Sequence, residues 1–400
     1  MLPLTEDPRT PVRVDVRINE TLPPPKPAKE KIFFPNLDGL RFFCFLSVFL
    51  CHSFQTNYAY ITADPVYRGI RHGLTNGIIG VNFFFVLSGF LITYLLLVEK
   101  QTFSKIHVGQ FWMRRVLRIW PLYFACLFVG FIIFPVLRDF ASNPSPERAS
   151  LLYYLAFLGN FDVVRQQSWP TEHTLGVLWS VAIEEQFYLV WPLLMTVVNR
   201  RWLPLLFAAV IVTSWVFRAH YDTFYMHEHH TLSCMGDMAF GAVGAYLVQN
   251  EKFKHWVSNW NRWAIALLYI VFAVIYLFRE ELLNSIYVIR IFERSIISVV
   301  ILMIILEQNY ARNSLFKMSS FKTISKLGTI TYGMYCLHFI AIFLVTNLTI
   351  RYHVNNEIWQ VLLLEPIASF AITIILSTLS YRYFERWFLR LKERFSFVTR

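Results

Sequence analysis

Gly80-Val81-Asn82-Phe83-Phe84-Phe85-Val86-Leu87-Ser88-Gly89-Phe90-Leu91-Ile92 is the centre of an apolar run over 78–98. A helix needs roughly 20 mostly apolar residues to cross a bilayer core, and this run suffices. Outward from it lie further runs at 36–55, 111–137, 176–198, 202–219, 231–249, 262–278, 287–306, 328–349 and 361–381. The chain therefore reads as an all-α polytopic integral membrane protein of about ten transmembrane helices. A shorter apolar stretch, 150–163, reads as re-entrant or interfacial.

Composition agrees. Of 400 residues, 56% are hydrophobic and only 16% charged, against about a quarter charged in soluble domains. A soluble core could not bury so much apolar surface, whereas a lipid-facing exterior can display it. The formal charge of +11 would point to nucleic acid only as a patch on a soluble domain, so no nucleic-acid partner is expected. Instead the Lys and Arg residues fall in alternate loops. With the N-terminus inside, the inner segments hold Lys26, Lys100, Lys105, Arg114, Arg115, Arg118, Arg200, Arg201, Lys252, Lys254, Lys317, Lys322 and the cluster from Arg382. The positive-inside rule then puts both termini in the cytoplasm, which requires an even number of crossings. Residues 1–31, with Pro23, Pro24, Pro25 and Pro27, read as a disordered cytoplasmic tail with no signal peptide. A single membrane domain over 32–390 follows, then a basic tail over 391–400. Cys44, Cys51, Cys126, Cys234 and Cys336 lack metal-ligand spacing and read as small core residues.

An ionisable group inside a bilayer is costly and so is a candidate for function. The first run holds Asp38, Arg41 and His52. Eleven residues is about three helical turns, so Arg41 and His52 share one face, ~16 Å apart along the axis. Arg41 alone could be snorkelling to an interface, but a pair on one face is harder to dismiss. Arg114, Arg115 and Arg118 open the third run. Arg115 and Arg118 are helical neighbours able to grip a polyanion such as a pyrophosphate, or they simply mark the inner side. Glu184 and Glu185 lie two turns into the fourth run, after Ser180. The bland reading is a structural ion pair with a buried arginine such as Arg290 or Arg294. Tyr332 and His338 lie in the ninth run, where a lone histidine could be a satisfied bridge between helices. His220, Asp222, His227, Glu228, His229 and His230 look like metal ligands by composition only. They read as a hydrated outer rim, and no metal site is expected.

Together these segments resemble the acyltransferase 3 family, which includes O-antigen and peptidoglycan O-acetylases. The resemblance rests on Asn36-Leu-Asp-Gly-Leu-Arg41 with His52, on Gly80–Ile92, and on Arg114, Arg115 and Arg118 before Ile119-Trp-Pro-Leu-Tyr123. It continues through Leu178-Trp-Ser180 with Glu184-Glu-Gln-Phe-Tyr188, Thr331-Tyr-Gly-Met-Tyr335 with His338, and Tyr383-Phe-Glu-Arg386. Asn82 stands where the family commonly has Asp. The resemblance implies a ten-helix domain that moves an acyl group, usually acetyl, from cytoplasmic acyl-CoA to a hydroxyl of a glycan or lipid-linked saccharide. It also implies a bacterial inner-membrane location. Some relatives carry a C-terminal SGNH hydrolase-like domain, and a chain ending at residue 400 is expected to lack it.

On this basis Arg115, Arg118 and Arg114 would bind the acyl-CoA phosphates, with Arg41 in a supporting role. His52 would act as general base or as acyl carrier. Glu184 would fix the His52 tautomer, in preference to Glu185 because the first acid of the family pattern aligns there. Ser180, Glu185, Tyr332, His338 and Asp38 form a second tier. Acyl-CoA is a cosubstrate, and no bound cofactor is expected. The rival reading is a transporter or flippase without acyl transfer, in which the same buried charges serve coupling.

Overall fold

Apolar runs this long fold as helices because in lipid each backbone polar group must find its partner within the segment. The computed structural model describes residues 34–74, 76–136 and 147–395, and those residues form helices and loops without strands. The expected tail over 1–31 and the last five residues lie outside them.

A long helix lies on each of the expected apolar runs: α1 Pro35–Ser53, α2 Gly77–Phe103, α3 Val108–Phe128, α4 Leu178–Val197 and α5 Leu203–His220. The second half of the chain adds α6 Thr231–Leu247, α7 Arg262–Leu277, α8 Tyr287–Tyr310, α9 Thr331–Arg351 and α10 Glu365–Leu379. By length and composition, 5 stretches can cross a membrane, within 65–103, 108–136, 200–220, 331–351 and 360–395, and a sixth if α6 and Glu251–Ser258, bent by 101°, form one span. α1, α4 and α8 are as long as a span but less apolar, because they carry Asp38, Arg41 and His52, Glu184 and Glu185, and Arg290, Glu293 and Arg294. At 16 residues α7 is short for a span.

α2 is the central helix. It packs against α1, α6 and α8, while α9 packs against α10 and α1. The α2–α6 crossing is close because glycines face backbone there: a Cβ on Gly89 would lie 2.0 Å from the Met238 carbonyl oxygen, and one on Gly241 2.0 Å from that of Val86. Small residues at such crossings let helix backbones approach. Leu205, Val216, Leu267 and Ile367 point outward, as a lipid-facing surface requires. Exposed Trp202, Trp263, Trp359 and Trp387 sit near helix ends, where interfacial belts form.

The stretch 150–163 forms two short helices, Leu151–Leu155 and Gly159–Gln166. Of the basic tail expected over 391–400, only the part to Phe395 lies among the described residues. Arg386–Lys392 is helical, and the Phe395 carbonyl accepts a 2.8 Å hydrogen bond from Arg114 Nη1.

Candidate functional site

α1 begins at Pro35, whose missing N–H is no loss at a first helical position. Its two ends open onto different cavities. Near the start, Arg41 is buried and donates from Nη1 to Asp38 Oδ1, one turn back, at 2.6 Å. Near the end, His52 lines the larger cavity.

The smaller cavity, about 110 Å³, is lined by Arg41, Arg115, Arg118, Ser88, Glu184 and Tyr188 among others. Arg118 has no ion-pair or hydrogen-bond partner among the described residues. The Arg115 guanidinium lies 5.3 Å from the ring centroids of both Phe111 and Tyr188. Glu184 accepts from Ser88 Oγ at 2.8 Å and from the Tyr188 hydroxyl at 2.9 Å. The cavity wall is thus cationic, with its carboxylate engaged by hydroxyls. Arg114 is not part of this wall: it reaches Glu99 at 3.5 Å as well as the Phe395 carbonyl.

The larger cavity, about 800 Å³, is lined by His52, His173, Trp169, Trp179, His229, Arg279 and Phe339 among others. Such a volume suits a small-molecule or sugar-sized ligand. His52 Nδ1 lies 3.0 Å from His338 Nε2, and His338 Nδ1 lies 2.7 Å from the Tyr335 carbonyl oxygen. A carbonyl can only accept, so His338 carries its proton on Nδ1. In two neutral rings, His338 Nε2 then accepts and His52 Nδ1 donates. That leaves a lone pair on His52 Nε2, which has no protein partner among the described residues. A lone pair held in this way can take a proton from a hydroxyl or attack an acyl carbon.

Several expectations need correction. A histidine, rather than Glu184, hydrogen-bonds His52 and sets its tautomer. The bland alternative, an ion pair of Glu184 or Glu185 with Arg290 or Arg294, is not formed: those arginines pair with Asp222, Glu228 and Asp237. Glu185 turns the other way and accepts from Trp120 Nε1 at 2.9 Å, as expected for neighbours about 100° apart on a helix. Ser180 shares a 2.6 Å hydrogen bond with the Tyr335 hydroxyl, and Tyr332 donates to the Ile119 carbonyl at 2.8 Å.

The 220–230 segment is also not a hydrated rim throughout. His227, Glu228 and His229 are buried in a short helix, Phe224–His229. Glu228 joins a buried network in which Arg279 contacts Glu228 at 3.0 Å and Glu293 at 2.6 Å, and Arg294 contacts Glu228 at 2.7 Å and Asp237 at 2.5 Å. Arg218 reaches Glu293 at 3.3 Å, and Asn82 donates to Asp237 at 3.1 Å. Each buried charge has a partner, as a low-dielectric interior demands. Arg290 lies outside the network, with Asp222 at 2.9 Å.

Ser88 and Tyr188, which hold Glu184, had no role assigned from sequence. Both lie within the motif segments, so the segments were visible while their contacts were not.

A family model described as an acyltransferase domain matches residues 34–382. The chain is 27% identical over 388 residues to a putative peptidoglycan O-acetyltransferase of Bacillus subtilis, covering 88% of this chain and 54% of that protein. It is 26% identical over 370 residues to the peptidoglycan O-acetyltransferase of Listeria monocytogenes, covering 88% of this chain and 55% of that protein. It is 27% identical over 377 residues to a putative O-acetyltransferase of Staphylococcus aureus, covering 89% and 57%. The chain spans about half the length of these relatives. No solved structure matches it.

Proposed function

The chain belongs to the acyltransferase 3 family, and from that premise we propose that it moves an acyl group, acetyl by preference, from acyl-CoA to a hydroxyl of a glycan. The observation that carries this reading is the histidine pair at the wall of the large cavity, with Arg115 and Arg118 of α3, which have no carboxylate partner among the described residues, in the smaller cavity near the start of α1. In this reading the helices make ten crossings with both termini cytoplasmic, in a bacterial inner membrane. The arginine cavity then faces the cytoplasm, where acyl-CoA is made, and the histidine cavity faces outward.

A cavity of about 110 Å³ is too small for a nucleotide. The pantetheine arm would enter it while the phosphates stay at its mouth with Arg115 and Arg118. Forked guanidinium contacts suit phosphate. Arg41, already paired with Asp38, would shape this end more than it binds.

At the other end, His52 Nε2 would take the acceptor hydroxyl's proton as the oxygen attacks the thioester carbonyl. The C–O bond forms, the C–S bond breaks, and the proton passes from His52 to the departing thiolate, giving ester and free CoA. If His52 instead carries the acyl group, a C–N bond to Nε2 forms as C–S breaks and the CoA thiolate leaves, and then C–O forms as C–N breaks, with the acceptor's proton passing to the thiolate. His338 would hold the reactive tautomer and Glu184 would organise the passage beside Ser88 and Tyr188. The acceptor would be a saccharide of the cell surface, in line with the names of the relatives. Those names do not favour the transporter reading.

The test is thiol release from acetyl-CoA by detergent-purified protein. Wild type should release CoA, slowly to water and faster with added glycan. His52→Ala should abolish release while remaining inserted, and Arg115→Ala should raise the KM for acetyl-CoA. Equal release by wild type and His52→Ala would overturn the assignment.

A further inference from the structure

The large cavity has little positive charge to offer a ligand. Among the described residues, Arg279 is the one Lys or Arg in its wall. It is buried, and each of its three nitrogens faces a carboxylate: Nη2 lies 3.0 Å from Glu228, Nη1 3.1 Å from Glu280 and Nε 2.6 Å from Glu293. In the network around it, Arg218, Arg279 and Arg294 are balanced by Glu228, Glu293 and Asp237. Glu280 is an acid beyond that balance and tips the group to net negative. Glu280 lines the cavity itself, and so does Glu172.

The histidines of the wall do not restore the balance. Burial lowers the pKa of His173 and brings that of His229 down to about 4, against the pull of Glu228, so both rings are neutral at neutral pH. A proton on His72 would already be matched by Glu281, 3.1 Å from its Nε2. Much of the remaining wall is aromatic or amide: Trp169 is 40% exposed, and Gln55, Asn57 and Asn347 line the same space. Aromatic faces with a few polar groups bind uncharged, hydroxyl-rich ligands well. An anion placed here would meet like charge, which recognition sites use to suppress wrong partners. An ammonium would meet opposite charge and an exposed indole. The smaller cavity is the reverse, with Arg115 and Arg118 in its wall.

We propose that the large cavity binds a saccharide that is uncharged or carries free amines where it enters the site, and rejects acidic saccharides such as uronates. The proposal rests on the reading that the acceptor enters the histidine cavity. Glu280 is the residue to change, because its side chain is half-exposed and it lies outside the reacting groups.

The experiment is saccharide-stimulated thiol release from acetyl-CoA by purified full-length protein, with His52→Ala as the blank. The acceptors are glucosamine tetramers carrying N-acetyl groups, free amines, N-succinyl groups or N-succinyl methyl esters. The last two differ in charge while keeping nearly the same shape. Wild type should use the succinyl tetramer at least about 10-fold less efficiently in kcat/KM than its methyl ester, and should accept the N-acetyl and free-amine tetramers. Glu280→Gln should narrow the gap between acid and ester by about 2- to 5-fold. Equal use of acid and ester would overturn the proposal, as would rejection of the free-amine tetramer alongside the acid, or a gap that Glu280→Gln leaves unchanged. His52-dependent release to water that no tetramer raises would overturn the saccharide class. Absence of any His52-dependent release would overturn the functional reading itself, a distinguishable failure.

Discussion

Among the described residues His52 has one hydrogen-bond partner, and that partner is a ring whose own proton is pinned by a carbonyl. Replacing His338 therefore separates two effects. His338→Gln can still accept the His52 Nδ1 proton through its amide oxygen, whereas His338→Phe cannot accept it. The Phe variant should lose about 10²-fold in kcat, in the range of general acid–base contributions, with KM for acetyl-CoA unchanged, and Gln should recover part of the loss. Steady-state kinetics in detergent would check this. Equal losses in both variants would reduce His338 to a space-filling role. Arg41 and His52 could be singled out from sequence because helix geometry alone puts them on one face. The His52–His338 pair could not, because the two histidines lie 286 residues apart in the chain and meet only through the packing of α1 against α9. For the same reason the tautomer role fell to Glu184: a carboxylate is the more familiar partner for imidazole, and nothing local argued against it.

At the scale of helices, the apolar runs gave each long element to within a few residues, since a membrane leaves the backbone few alternatives. What stayed hidden was which polar residues the helices bury together. The 220–230 segment looked hydrated because it is rich in His and acid, yet Glu228 satisfies arginines brought by α8 and by the α7–α8 connection. The α2–α6 crossing offers a stability test. Gly241→Ala would set a methyl 2.0 Å from the Val86 carbonyl oxygen, so the helices must part, at a cost of about 1–3 kcal/mol or more. Gly109 has nothing within 4 Å of its would-be Cβ, so Gly109→Ala should leave the midpoint unchanged or slightly raised. Thermal unfolding in one detergent compares the two. A Gly241→Ala midpoint equal to wild type would show that the crossing is looser than it stands.

For the whole molecule, ionisable side chains divide into two kinds. The network of Arg218, Arg279 and Arg294 with Glu228, Glu293 and Asp237 is internally paired and ties α5, α6 and α8 together. Arg115 and Arg118 lack such partners and line a cavity. The sequence pointed to Arg115, Arg118 and Arg294 but not to the rest of the network, because recognising it needs to know which helices touch. Sorted, they place Arg115 and Arg118 at one cavity and His52 at another, and transfer of the acyl group across the membrane from the first to the second is the central proposal.

The most direct test uses inside-out vesicles, whose cytoplasmic face is exposed, with N-acetylglucosamine oligomers trapped in the lumen. Labelled acetyl-CoA, which cannot cross the membrane, is added outside. The account predicts labelled, O-acetylated sugar in the lumen, and none with His52→Ala. Label appearing only on sugar supplied on the same side as acetyl-CoA would contradict it.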